Sequence, residues 1–203
     1  MKKNLLLLLA LLSVHYGLSA ENVSRIGVYS GSFDPPTKAH NRIISKIIEG
    51  QEFDELIIYV NRYGNKSHQV SPEERKRMLE IMLKDEAITV TIQSNPDKRI
   101  DYRKMRGPGQ KLSLIIGEDS YFKRQSLPEE QKIPVDKIFV IPRFSIFTDL
   151  EAALGPDAQI LYVPNIDDIS STTIRRQLQL GDLSEIALEE SVLRYILENH
   201  LYE

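Results

Sequence analysis

The chain has 203 residues, of which 41% are hydrophobic and 27% are charged, and its formal net charge is -3 at pH 7. This length and apolar content suit one domain with a single core, and the lack of a basic excess argues against a nucleic-acid-binding protein. The absence of Cys excludes disulfides, thiolate metal sites and a Cys nucleophile.

Residues 1–20 have the layout of a secretory signal peptide. Two Lys residues precede an apolar run from Leu5 to Leu12, and small residues lead to Ala20. The run is shorter than the roughly 20 residues of a membrane span. We therefore describe residues 1–20 as a signal-peptide-like segment followed by one domain over 23–203. If the segment acts as a signal, the protein is expected to be exported or periplasmic, and otherwise cytoplasmic. An uncleaved membrane anchor, and a cytoplasmic protein with a misplaced start codon, are the alternatives.

A strand, a tight turn and a helix are predicted between Ile26 and Ile44. An apolar run up to Tyr29 is followed by a turn rich in Ser, Gly, Asp and Pro, and then by apolar residues at helical spacing. Such a junction directs backbone N–H groups and the positive end of a helix dipole at one spot, which suits a phosphate. His40 lies three residues after Thr37, so we expect both side chains near that spot. A solvated or capping His is the alternative.

Strands and helices then alternate along the chain. We predict strands at Leu56–Val60, Ile88–Ile92, Leu112–Ile116, Lys137–Ile141 and Gln159–Val163, and helices that end near Gly50, near Lys84, at Gln125 and near Leu154. Ser71 is the predicted cap of the second helix, with Pro72 at its first position and Glu74 completing a capping box. The alternation predicts an α/β fold with a doubly wound parallel sheet, and ligands at the carboxyl ends of the strands.

The segment from Asn95 to Lys111 is irregular and basic, with a Gly-Pro-Gly break. Its cations are Lys98, Arg99, Arg103, Lys104, Arg106 and Lys111. Such a charge run is usually a solvated loop or helix face. The functional alternative is a mobile loop that approaches an anionic substrate.

A second candidate site lies at 169–176. Ser170, Ser171 and Thr172 stand at a predicted helix start, and Arg175 follows one turn later on the same face. Hydroxyl groups and a guanidinium in this arrangement can bind phosphate. A plain N-cap would explain one hydroxyl, but it requires neither the others nor the arginine.

Both segments match motifs of one superfamily. Residues 31–40, G-S-F-D-P-P-T-K-A-H, resemble the G-(S/T)-F-D-P-x-(H/T)-x-G-H signature of the nucleotidyltransferases, with Ala39 where the signature has Gly. Residues 169–175 resemble the I-S-S-T-x-x-R motif of the same superfamily. This resemblance implies the Rossmann-like nucleotidyltransferase fold.

Other segments narrow the resemblance. Leu114–Ser120 and Ser191–Tyr202 are similar to segments of bacterial nicotinate mononucleotide adenylyltransferases. Residues 60–79 are as similar to pantetheine-phosphate adenylyltransferases. The chain has no Trp, whereas the nicotinate enzymes commonly place a Trp against the pyridine ring.

The resemblance implies an enzyme of NAD biosynthesis that joins nicotinate or nicotinamide mononucleotide to the AMP part of ATP and releases pyrophosphate. It implies catalytic roles for Thr37, His40 and Arg175. The implied ATP-binding residues are Gly31, Ser32, Phe33, Gly117, Asp119, Ser170, Ser171 and Thr172. For the acceptor we predict Lys66, Arg75 and Tyr102, with Tyr121 and Phe122 as further candidates to stack on the ring. Mg2+ is expected to arrive with ATP, since no dedicated carboxylate cage is evident.

Two alternatives follow from the departures. The acceptor could be another phosphomonoester such as phosphopantetheine. The protein could also be an exported, non-catalytic nucleotide-binding protein, which Ala39, the missing Trp and the signal-like segment favour. The presence of His40 and Arg175 opposes that second alternative.

Overall fold

The computed structural model describes residues 23–62, 68–84, 86, 89–92, 106–132, 134–143, 147–166 and 169–203. Within this part of the chain, six parallel strands form one sheet in the order β3-β2-β1-β4-β5-β6. The strands are β1 (Arg25–Gly31), β2 (Glu55–Val60), β3 (Thr89–Ile92), β4 (Lys111–Gly117), β5 (Lys137–Ile141) and β6 (Ala158–Ile160). The chain builds outward from β1 on one side and then on the other, which confirms the predicted doubly wound sheet.

The first five helices lie close to the predicted positions, whereas the sixth helix and a 3-10 helix were not predicted. The helices are α1 (Lys38–Glu49), α2 (Pro72–Met82), α3 (Glu118–Gln125), α4 (Phe147–Ala153), α5 (Ser171–Leu180) and α6 (Glu190–Glu198), with a 3-10 helix at Glu129–Gln131. The main correction concerns β6, which was predicted to reach Val163. Its neighbour β5 ends at Ile141, so residues after Leu161 have no strand beside them to bond with.

Helices cover both faces of the sheet because buried strands are apolar on both sides. On one face, Ile26 and Val28 of β1 pack with Tyr121 of α3 and with α4. On the other face, Tyr29 packs with Ile44 of α1 and with α2. Each fully buried aliphatic side chain contributes about 1.5–3 kcal/mol relative to an exposed one. The fold is therefore held by two apolar layers that enclose the central strand.

A third apolar cluster attaches the end of the chain to its middle. Met78 of α2 packs with Ile174 of α5, with Val192 and Ile196 of α6, and with Tyr202. Val192 and Ile196 lie four residues apart on α6, so that one face of this helix is buried. The cluster holds the last residues against the helix that follows β2.

Helix caps explain where α1 and α2 begin. Ser71 Oγ accepts a hydrogen bond from Glu74 N–H at 3.1 Å, as predicted. The Glu74 carboxylate does not complete the capping box, because it accepts the Tyr195 hydroxyl at 2.7 Å. A reciprocal capping box does form at α1, between Thr37 and His40.

The signal-like segment, residues 1–20, lies outside the described residues. A cleavable segment followed by one domain over 23–203 therefore stays a prediction. Among the described residues, no helix combines the length and apolar character needed to cross a membrane.

Candidate functional site

Both sequence motifs lie at the carboxyl edge of the sheet, beside β1 and β4. These two strands are neighbours, and the connections that follow them run to opposite sides. A crevice opens where the strand order reverses in this way. The register pairs Tyr29 with Ile115. Gly31 and Gly117, each two residues further on, end these two strands at the crevice.

The turn after β1 wraps tightly around the ring of Phe33. Phe33 is 1% exposed and has a φ of 50°, in the left-handed region that non-Gly residues seldom occupy. A Cβ on Gly31 would lie 2.8 Å from Phe33 Cζ, so the close approach requires Gly at that position. The Asp34–Pro35 peptide bond that follows is cis. The turn therefore places the backbone groups of Gly31, Ser32 and Phe33 directly before α1. These are the groups that were predicted to contact ATP.

His40 is oriented by the backbone of Thr37. The Thr37 N–H donates to His40 Nδ1 at 3.0 Å, and Thr37 Oγ1 lies 2.9 Å from the same nitrogen. Because Nδ1 accepts a hydrogen bond, the proton of the neutral ring is on Nε2. The ring also packs edge-on against Phe33, with 5.0 Å between centroids. The first turn of α1 thus carries an oriented N–H donor at the positive end of the helix dipole.

This geometry corrects the role of Thr37. Its side chain was predicted to contact the ATP phosphates, but the residue is 1% exposed. The hydroxyl group serves as the N-cap of α1 and contacts His40. Thr37 therefore orients the histidine rather than touching a ligand.

The second motif reaches across to the first. Ser171 Oγ donates to the Pro35 carbonyl at 2.9 Å, and Arg175 Nη1 donates to the Asp34 carbonyl at 2.7 Å. Arg175 Nη2 also donates to Thr172 Oγ1 at 3.3 Å. These bonds clamp the start of α5 onto the turn that precedes α1. The predicted catalytic His40 and Arg175 are thereby brought to the same turn.

The hydroxyl groups of this motif have different partners. Ser170 Oγ accepts the Thr173 N–H at 3.1 Å and so caps α5. The hydroxyl of Ser171 is used on Pro35, as described above. Thr172 is exposed, and its oxygen accepts from Arg175, so its hydroxyl hydrogen can be donated to a ligand. Thr172 is therefore an exposed hydroxyl group that can donate to a ligand, whereas the proton of Ser171 is used on Pro35.

Asp34 connects several segments and was not singled out as a site residue from the sequence. Its Oδ1 accepts the Tyr202 hydroxyl at 2.8 Å, and its Oδ2 accepts the Gln69 N–H at 2.9 Å. The residue is 2% exposed. Asp34 lies within residues 31–40 and Tyr202 within Ser191–Tyr202. Both residues therefore belong to segments that were identified by their resemblance to known enzymes. Local patterns cannot show that residues so far apart in the chain meet.

Arg75 was predicted to hold the acceptor phosphate, and its burial corrects that prediction. The residue is 0% exposed, and its Nη1 donates to the carbonyls of Ser32 and Asn61 at 2.5 and 2.9 Å. Burial lowers the pKa of its guanidinium, and the nearby Asp34 opposes this shift. Arg75 is thus buried and supports the turn through its hydrogen bonds to the carbonyl groups of Ser32 and Asn61.

The end of β4 carries the residues predicted to border the adenosine. Asp119 is exposed, and a Cβ on Gly117 would lie 2.9 Å from Asp119 Oδ1 and 3.4 Å from Arg143 Nε. The exposed Arg143, which follows β5, was not identified from the sequence. Its backbone N–H donates to Glu118 Oε2 at 3.0 Å. A cation therefore stands beside the predicted adenosine residues.

Several predicted acceptor residues fall outside the site or outside the description. Lys66 and Tyr102 lie outside the described residues. Tyr121 is 1% exposed, and its hydroxyl oxygen accepts the Gly155 N–H at 2.8 Å. It is a core residue and not a stacking platform. Phe122 is 41% exposed and is the one aromatic candidate of this group with an accessible ring in the described part of the chain.

The basic segment is only partly described, and its described end lies away from the crevice. Arg106 Nη1 pairs with Asp136 at 3.1 Å, and Asp136 also accepts the Leu112 N–H at 2.7 Å. Lys111 begins β4, so these residues are at the amino edge of the sheet. Arg106 and Lys111 therefore fit the solvated segment that the charge run indicates better than the alternative of a loop that approaches the substrate. The other cations of this segment are outside the described residues.

Among the described residues, no group of three or more His, Asp or Glu side chains could hold a metal ion. The carboxylate nearest to His40 in the chain, Asp34, is taken up by Tyr202 and Gln69. Around the turn before α1, the described residues therefore present hydrogen-bond donors and the Arg175 guanidinium to a ligand. Such a surface suits a polyphosphate.

Comparison with known proteins gives a consistent family. The cytidylyltransferase-like family model matches residues 28–177. A protein of Leptospira interrogans that is named a probable nicotinate-nucleotide adenylyltransferase is 29% identical over 196 residues, which cover 87% of this chain and 96% of the relative. One from Leptospira borgpetersenii is 30% identical over 190 residues, which cover 87% and 95%.

The fold also matches solved structures. Nicotinic acid mononucleotide adenylyltransferase of Plasmodium falciparum, complexed with NaAD, superposes with a TM-score of 0.72 at 22% sequence identity. The match covers 88% of this chain and 97% of the Plasmodium chain. The same protein complexed with APC gives a TM-score of 0.70. At this identity the match bears on the fold alone.

Proposed function

The chain belongs to the cytidylyltransferase-like family, and on that premise we propose that it is the adenylyltransferase that joins nicotinate mononucleotide to the AMP part of ATP. The relatives that match across nearly their whole length are named for this activity. The products are nicotinate adenine dinucleotide and pyrophosphate, so the reaction belongs to NAD biosynthesis.

One observation carries the proposal. The start of α5 is hydrogen-bonded to the turn before α1 through Ser171 and Arg175. This contact gathers an oriented imidazole, a guanidinium and two helix N-termini around one crevice. All of these groups stabilise negative charge. A polyphosphate is the ligand that uses all of them at once.

The chemistry needs little beyond this arrangement. A phosphate oxygen of the mononucleotide attacks the α-phosphorus of ATP, and the bond to the bridging oxygen breaks as pyrophosphate leaves. The attacking phosphate is already anionic, so no general base is required. His40 donates its Nε2–H to the charge that grows at the α-phosphate or leaving group. Arg175 and Thr172 hold the departing β- and γ-phosphates.

ATP is used as its magnesium complex. Mg2+ prefers to keep water ligands and to bind through substrate phosphates, which needs no dedicated cage of side chains. Chelation of Mg2+ by EDTA is therefore expected to abolish turnover, and restored Mg2+ is expected to recover it. Turnover that persists in excess EDTA would contradict this proposal.

The similarity of 60–79 to the pantetheine enzymes has a structural explanation. Ser71 caps α2, Arg75 is buried under the turn, and Met78 and Leu79 are core residues. These residues maintain the fold that both groups of enzymes are expected to share. The described residues of this segment therefore do not favour phosphopantetheine as the acceptor.

A panel of acceptors tests the proposed function. Pyrophosphate release from MgATP is measured with nicotinate mononucleotide, nicotinamide mononucleotide and phosphopantetheine. We expect the highest kcat/KM with nicotinate mononucleotide. Turnover with phosphopantetheine alone would assign a different acceptor, and MgATP binding without turnover on any acceptor would favour the non-catalytic alternative.

A further inference from the structure

The penultimate residue of the chain is bonded inside the candidate site. Tyr202 is 5% exposed, and its hydroxyl donates to Asp34 Oδ1 at 2.8 Å. Burial raises the pKa of this hydroxyl far above its usual range, and the neighbouring Asp34 carboxylate adds to the shift. The hydroxyl therefore keeps its proton and remains a donor at any working pH.

Asp34 in turn anchors the turn before α1. Its Oδ2 accepts the Gln69 N–H, and its carbonyl accepts Arg175 Nη1. A buried carboxylate is costly unless its oxygens accept hydrogen bonds. Removing the Tyr202 hydroxyl would leave Oδ1 without this donor. Asp34 would then move toward another donor, and its backbone would move with it.

Asp34 and His40 are connected by a short and rigid path. Two residues, Pro35 and Pro36, separate Asp34 from Thr37, whose N–H and hydroxyl orient the imidazole. Phe33, on the other side of Asp34, packs against the same ring. A displacement of Asp34 would therefore be passed to His40 from two directions. A misplacement of about 1 Å at a catalytic group can lower the rate about 10²-fold.

We propose that Tyr202 is a positioning residue for adenylyl transfer, because its hydroxyl fixes Asp34 and, through Asp34, the orientation of His40. The inference rests on the proposed function. Tyr202 itself makes no contact with substrate in this role. The last residues of the chain are thus a working part of the active site and not only part of its packing.

A matched pair of variants tests the proposal. Tyr202→Phe removes the hydroxyl and keeps the ring in its cluster with Met78, Val192 and Ile196. Tyr195→Phe is the control, since its hydroxyl also donates to a carboxylate, Glu74, at 2.7 Å. Glu74 lies on α2, outside the turn. Each variant thus loses one bond from a tyrosine to a carboxylate.

We expect Tyr202→Phe to lower kcat about tenfold or more at a temperature where the protein is fully folded. The KM for the mononucleotide should change much less. Tyr195→Phe should keep kcat near the wild-type value even if its Tm falls as much as that of Tyr202→Phe. Equal losses of kcat in the two variants, or a Tyr202→Phe protein that does not fold, would mean a structural role only and would overturn the proposal.

A second measurement does not depend on the acceptor. The ring nitrogens of His40 are followed by 15N NMR and assigned with a His40→Asn variant. We expect the Nε2–H tautomer in the wild type, a loss of that signature in Tyr202→Phe, and no change in Tyr195→Phe. An unchanged His40 spectrum in Tyr202→Phe would overturn the proposal. If the proposed function is wrong, the wild-type protein will show no turnover, but the His40 spectra of Tyr202→Phe and Tyr195→Phe will still differ.

A rescue variant completes the test. Replacing Tyr202 by 4-aminophenylalanine keeps a donor that can reach Asp34 Oδ1. We expect this variant to recover most of the kcat and the His40 spectrum of the wild type. Recovery of Tm without recovery of kcat would overturn the positioning role.

Discussion

At the scale of single residues, His40 is the side chain on which the proposed chemistry depends most. His40→Ala is expected to lower kcat by about 10² or more, because it removes a donor to transition-state charge. The capping box of α1 is lost as well, so the free energy of unfolding should fall by about 1 kcal/mol. Steady-state pyrophosphate release and chemical denaturation measure the two effects separately.

His200→Ala is the control for this variant. His200 is exposed and pairs with Glu203 near the end of the chain. It should keep the wild-type kcat. A folded His40→Ala protein with near-normal kcat would exclude the assigned role of His40.

Ala39 is the residue at which the chain departs from the signature of its superfamily. It is 7% exposed and packs in the cluster that includes Ile43 and Phe33. Ala39→Gly removes a buried methyl group and raises the backbone entropy of the unfolded chain. We expect a loss of about 2 kcal/mol in the free energy of unfolding, with little change in kcat/KM.

Calorimetry and steady-state kinetics check this prediction together. A rise of about tenfold in kcat/KM would mean that the methyl group crowds the phosphates. That outcome would support the alternative of a protein that is losing its catalytic function.

The sequence was informative about which residues matter and less so about what they touch. His40 and Arg175 both lie beside the turn before α1, although their ligand contacts stay predictions. Thr37 and Arg75 were assigned to ligands because hydroxyl and guanidinium groups bind phosphate. Burial decides against both assignments, and burial depends on tertiary packing that residue type does not reveal.

At the scale of elements, the helix termini are the best-defined local signals. The cap of α2 was predicted from Ser71 and Pro72. At α1 a capping His40 was only the alternative to a phosphate contact, because the usual capping box has Glu or Gln at N3, and the structure shows that His40 does cap the helix. The early end of β6 was missed because it is set by the neighbouring strand β5 and not by the residues of β6.

The C-terminal end of α5 offers a clean test of backbone strain. Gly181 has a φ of 67°, and a Cβ there would meet nothing within 4 Å. Gly181→Ala should therefore cost about 1 kcal/mol from strain alone. Thermal unfolding measures the shift in Tm.

Gly50, at the end of α1, is the matched control. Its φ is -69°, which any residue adopts without strain. Gly50→Ala should therefore leave the protein as stable or slightly more stable. Equal losses of stability at the two positions would contradict the strain argument.

At the scale of the whole molecule, the alternation of strands and helices was enough to predict the doubly wound sheet. Short connections and the handedness of parallel crossovers leave few other arrangements for such a pattern. The contact between the last residues and the first motif was beyond this kind of reasoning. It joins segments at opposite ends of the chain, and it depends on a single hydrogen bond to Asp34.

The signal-like segment makes a prediction about the whole chain. If residues 1–20 direct export, the mature protein should begin at Glu21. Mass spectrometry of the protein recovered from the periplasm of an expressing bacterium measures its N-terminus. An intact Met1 on the exported protein would identify an uncleaved anchor, and a protein found only in the cytoplasm would contradict export.

The bond between Tyr202 and Asp34 has a consequence for biosynthesis. Domains begin to fold while the chain is being made, and the sheet around β1 can form before synthesis ends. The bond joins Tyr202 to a residue 168 positions earlier in the chain, so the turn beside His40 gains this donor only after both segments have been made. A chain that stops before Tyr202 is therefore expected to fold its sheet and still lack the hydrogen bond on which the proposed positioning of His40 depends.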